Sequence, residues 1–106
     1  MPKYLISATL NAEGLKGVQK DKASGRRRAW IAAIESLGGK LECGYFALGK
    51  EDAHLIVDLP DNVAAAALGL AVSSSGIGRT RTTALLTDAE VDRALERSVN
   101  YRPPGR

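Results

Sequence analysis

Residues 40–59 read KLECGYFALGKEDAHLIVDL. Lys40 to Leu48 and Ala53 to Leu59 carry the aromatic and β-branched residues of strands, and Gly49-Lys50-Glu51-Asp52 between them is short enough for a hairpin. Upstream, Gly38-Gly39 closes a helix whose apolar residues Trp30, Ala33, Ile34 and Leu37 recur at helical spacing. Before it come a basic, Gly25-containing loop at Lys20 to Arg28, a short helical turn at Ala12 to Val18 capped by Asn11, and a strand at Tyr4 to Leu10. Downstream, Pro60-Asp61-Asn62 stops the hairpin, and the alanine-rich run Val63 to Val72 reads as a second helix. Ser73 to Gly78 releases that helix into the Thr-rich strand Arg79 to Leu86. Thr87 and Glu90 have capping-box spacing ahead of Val91, Ala94, Leu95 and Ser98, a third helix.

The order β-α-β-β-α-β plus a terminal helix predicts an α+β, ferredoxin-like domain over residues 1–100. Right-handed crossovers place both long helices on one face of a four-stranded antiparallel sheet. Tyr101 to Arg106, with Pro103-Pro104-Gly105, is a polar tail that cannot continue a helix.

Composition narrows the function. The chain has 106 residues, enough for one core and too few for a catalytic domain with a separate cofactor domain. Fifteen Lys plus Arg against twelve Asp plus Glu give a net charge of +3, too small an excess to imply nucleic acid. One cysteine, Cys43, and one histidine, His54, exclude an internal disulfide and a structural zinc site, so no metal or cofactor is expected. The start Met1-Pro2-Lys3-Tyr4 has no apolar leader, and no run of about 18 apolar residues follows. The expected compartment is the cytoplasm, without membrane association.

With both helices on one sheet face, alternation assigns the other. Ala53, Leu55, Val57 and Leu59 are expected toward the helices, and His54, Ile56 and Asp58 away. A tight hairpin pairing Gly49 with Asp52 would set Tyr45 opposite Ile56, Cys43 opposite Asp58 and Ala47 opposite His54. Leu41, Cys43, Tyr45 and Ile56 then share the open face with His54 and Asp58. That surface is too apolar to stay bare, and it predicts a homodimer closed through the sheet.

With these segments placed, the chain resembles the GYD domain family of the dimeric α/β-barrel superfamily over nearly its whole length. The resemblance rests on Gly14, Arg26, Leu37-Gly38-Gly39-Lys40-Leu41, Tyr45, Leu48-Gly49, Asp52, Pro60-Asp61, Arg79-Thr80, Thr82 and Thr87. Three positions depart from the family pattern. Glu51 replaces the motif tyrosine, His54 a usually apolar residue, and Leu10 a frequent tryptophan. The resemblance implies the ferredoxin-like fold and pairing through sheets, and it brings no activity.

Candidate residues follow from chemistry. Tyr45 offers a phenol that can donate to a substrate oxygen, and His54 an imidazole suited to acid, base or haem-ligand roles. Asp58 is too far along the strand to share a metal with His54. Asp52 suits turn formation, with a His54–Asp52 pair as the alternative. Arg26 and Arg79 are candidate ligand contacts. The run Arg26-Arg27-Arg28 with Arg81 suits phosphate or RNA, but the strands carry no RNA-stacking aromatics and no phosphate-cradling glycines precede a helix. Two function classes stand. One is a non-catalytic small-molecule-binding or assembly module acting as a homo-oligomer. The other is a cofactor-independent oxygenase or isomerase using Tyr45, His54 and Asp58.

Overall fold

The computed structural model describes residues 1–106. In chain order it contains β1 (Lys3–Leu10), α1 (Ala12–Ser36), β2 (Lys40–Phe46), β3 (Ala53–Asp58), α2 (Asn62–Ser74), β4 (Gly78–Leu85) and α3 (Asp88–Leu95). The strands form one sheet in the order β2-β3-β1-β4, with each neighbouring pair antiparallel. This is the expected ferredoxin-like α+β arrangement with a C-terminal helix added. Tyr4 and Ile6 of β1 and Leu55 and Val57 of β3 pack with Ile34 of α1 and Ala65 and Leu68 of α2. Full burial of an aliphatic side chain contributes about 1.5–3 kcal/mol, so Ile6, Ile34, Val57 and Leu59 bind the two layers together.

Local chemistry sets the joints. Asn11 caps α1 by accepting the Gly14 N–H at 3.0 Å, while its own amide donates to the Gly76 carbonyl at 2.6 Å. Asp61 caps α2 through the Ala64 N–H, and Asn62 accepts the buried Tyr4 hydroxyl at 2.6 Å. Thr87 and Glu90 form the reciprocal capping box that their spacing predicts.

Three expectations change. Residues 20–28 are helical rather than a loop, because Lys, Arg and Ala are good helix formers and outweigh Gly25. Only Lys22 departs, with φ 64° and ψ 166°, and it divides α1 into two arms that meet at a kink. The hairpin is also longer than expected. Ala47 N–H donates to Asp52 O at 2.8 Å, so residues 47–52 form the connection and Tyr45 faces His54 rather than Ile56. Asp52 explains the slip, because its N–H donates to Ala8 O and its carboxylate accepts the Leu10 N–H, which ties the turn to β1. A slip of two residues preserves side-chain faces, so Tyr45 and Cys43 stay on the open side. Leu41 does not: a bulge between Leu41 and Cys43 pairs it with Val57 and turns it into the core.

No helix is long and apolar enough to cross a membrane. Every α3 residue except Glu90 is exposed. The radius of gyration is accordingly 16.9 Å, against about 13 Å for a compact chain of this length.

Candidate functional site

The open sheet face is built in rows by strand register. One row runs Tyr45–His54–Ser7–Arg81 across the four strands, and the next Cys43–Ile56–Leu5–Thr83. Beyond it, Lys3, Asp58 and Leu85 share the far end. Register therefore brings Tyr45 and His54 together. His54 Nδ1 lies 2.9 Å from the hydroxyl of Ser7, which is itself buried between its neighbours. Tyr45, on edge strand β2, is 75% exposed.

Asp58 does not join them. It accepts from Lys3 Nζ at 2.9 Å, with Glu42 3.4 Å from the same ammonium. The Asp58 hydrogen bond, with Glu42 in support, holds the Lys3 ammonium above its usual range. Asp52 is likewise committed to the Leu10 N–H at 2.7 Å, so the alternative His54–Asp52 pair does not form. Glu51, in the place of the motif tyrosine, has a local role. It accepts from Arg81 at 2.6 Å and braces the β2–β3 connection against β4. Arg79 is exposed beside Arg81's end of β4, opposite Thr9. No three His, Cys, Asp or Glu side chains come together in a metal-ligating group.

Arg26 lies across the sheet from His54, in a slot under the α1 kink. The outer chamber, about 290 Å³, is walled by Trp30, Leu41, Phe46 and Leu55 with Arg26, Arg27 and Ser24 on the helix side. An inner chamber of about 80 Å³ continues between the first arm of α1 and the sheet, walled by Ala8, Leu10, Val18 and Ile77. Arg26, Trp30, Phe46 and Ala53 line both chambers. Arg26 and Trp30 share a face of α1 because they are four residues apart.

The expected candidates thus separate into two places. Tyr45 and His54 meet on the open face, Arg79 stands at its margin, Asp58 is tied off in an ion cluster, and Arg26 belongs to the slot, whose outer chamber edge-strand Tyr45 also lines. Trp30 read as core from its helical stripe, and Phe46 as a plain strand residue. The Arg26-to-Trp30 spacing was the available signal for the slot, but residues 20–28 read as a loop concealed it.

No curated protein matches the chain. The family model for the GYD domain matches residues 4–95 of the 106. The match runs from the start of β1 to the end of α3, and the chain belongs to the GYD domain family.

Proposed function

We propose that this chain is a non-catalytic small-molecule-binding module that works as a homodimer. The slot under the α1 kink carries the binding reading, because an apolar cleft with a few convergent polar groups is the usual form of a ligand site. Trp30 is the only tryptophan and lines both chambers, so its emission reports occupancy directly. Titration with a panel of small aryl and alkyl acids, amines and alcohols is expected to give a saturable change in Trp30 emission. The same compound should raise the thermal midpoint, since a ligand selective for the folded state stabilises it by mass action. A panel that leaves both readouts flat overturns the binding reading.

The open face supports the homodimer. Leu5, Ile56 and Cys43 form an apolar row there, flanked by Arg81 and Arg79 at one end and by Asp58 and Glu42 with their partner Lys3 at the other. The chain exposes 7630 Å², against about 5,700 Å² for a compact monomer of its mass. The exposed α3 contributes to this excess, which is also more than the roughly 800 Å² each partner buries in a standard interface. Light scattering should give a dimer for the native chain and a monomer for Leu5→Glu with its circular dichroism retained. A native monomer at all accessible concentrations overturns the pairing.

The oxygenase or isomerase reading draws on the Ser7–His54 contact with Tyr45 in register beside it. It stands second because His54 Nδ1 is committed to Ser7 and the slot lies on the other side of the sheet. If His54→Gln removes ligand binding seen at Trp30 while the fold persists, the open face becomes the working site.

A further inference from the structure

We infer that the slot takes an elongated monocarboxylate, with its carboxylate at Arg26 and Arg27 and its apolar tail running past Trp30 into the inner chamber. This rests on the binding-module reading and adds the class and orientation of the ligand.

Charge sets the orientation. The outer chamber has two guanidinium groups, Arg26 and Arg27, and no acidic side chain on its walls, whereas the inner chamber shares Arg26 alone and sets Glu13 against it. An anionic head is therefore attracted outward and repelled from the inner end. Neither arginine is strongly engaged. Arg26 reaches Asp21 only at 3.5 Å, and Arg27 donates to the Gly44 carbonyl at 3.3 Å. Each guanidinium has five N–H donors in a fork that matches a carboxylate, so most of that capacity faces the slot or water.

Shape sets the tail. The inner chamber's aliphatic walls and volume of about 80 Å³ suit a few carbon atoms, and Trp30 and Phe46 line both it and the outer chamber. Two glycines on the same helical arm mark its extent. A methyl group on Gly14 would lie 2.3 Å from Ile77 O, so that glycine is needed for the helix to approach the sheet. A methyl group on Gly17 would meet no atom within 4 Å, although Gly17 also lines the chamber. A glycine inside a helix is disfavoured relative to alanine. At Gly17 close packing does not require it, and its small size leaves the chamber open.

The experiment compares octanoate, octan-1-ol and octylamine on the full-length chain through Trp30 emission. Octanoate is expected to bind at least about tenfold more tightly than the other two, since a charge-assisted hydrogen bond is worth more than about 1.4 kcal/mol. Arg26→Gln should bring octanoate to the level of octanol without changing octanol itself. Gly17→Val fills the inner chamber and should weaken octanoate by about tenfold while sparing butanoate, with retained circular dichroism as the folding control. Gly17→Ala, which adds one methyl group in open space, is the milder second variant and should weaken octanoate in the same direction. Octanol binding as tightly as octanoate, or chain-length preference unmoved in both Gly17 variants, overturns the inference. A wider panel that binds while these acids do not also overturns it and leaves the module reading in place. Silence across the whole panel overturns both.

Discussion

Gly14 and Gly17 lie on one helical arm, yet their surroundings oppose each other. Gly14→Ala drives a methyl group against the Ile77 carbonyl, a backbone atom that cannot rotate away. The expected cost is about 1–3 kcal/mol, the range for overpacking a close contact. Gly17→Ala meets nothing and should add about 0.5–1 kcal/mol by raising helix propensity. Urea unfolding of the two variants checks both signs, and equal midpoints would contradict the crossing geometry. The sequence shows two glycines that weaken a helix, because composition records missing side chains and not what would have met them. Asp52 had a similarly partial reading. Its place in the turn was legible, but its partner, the Leu10 N–H, is 42 residues away in sequence and was not.

Among the elements, those with local determinants were the most legible. Caps at Asn11, Asp61 and Thr87 act within three residues, so their chemistry is written beside the helix each begins. The Glu90 carboxyl is held below its ordinary value of 4.5 first by the Thr87 backbone N–H and then by the Thr87 hydroxyl. A carboxyl depressed in the folded state contributes stability above its unfolded value and loses it as pH falls through the folded value. Acidification below pH 4.5 should therefore fray the first turn of α3 while the sheet persists. The Thr87 amide resonance should titrate with a midpoint below 4.5, and a midpoint at or above it would contradict the box.

The kink in α1 was not legible, since nothing in Asp21-Lys22-Ala23 forbids a continuous helix. Lys22 occupies a backbone region that is nearly restricted to glycine and costs of order 1–3 kcal/mol. Lys22→Gly should relieve this and stabilise the domain by about 1 kcal/mol, after the helix cost of glycine is set against the larger strain. A lower thermal midpoint in Lys22→Gly would contradict the kinked backbone.

For the whole molecule, α3 is the outlying part. Its capping box makes it a competent helix, and Val91 and Leu95 lie on one face, yet both are exposed. Truncation after Leu86 should leave the unfolding free energy of the isolated chain within about 0.5 kcal/mol, because no core residue comes from beyond β4. Urea unfolding at low protein concentration checks this, and a large loss would mean that α3 packs on its own domain. The residues alone determined the element order, the two-layer α+β architecture, the caps at Asn11 and Thr87 and the face on which His54 and Tyr45 stand. Each of these follows from short-range periodicity or from chemistry within a few residues. The exchange of Tyr45's partner, Leu41's turn into the core, the kink at Lys22 and the slot beneath it were decided only by tertiary structure. Each depends on groups distant in sequence meeting across the sheet, where one bulge or one backbone hydrogen bond from a neighbouring strand outweighs local preference.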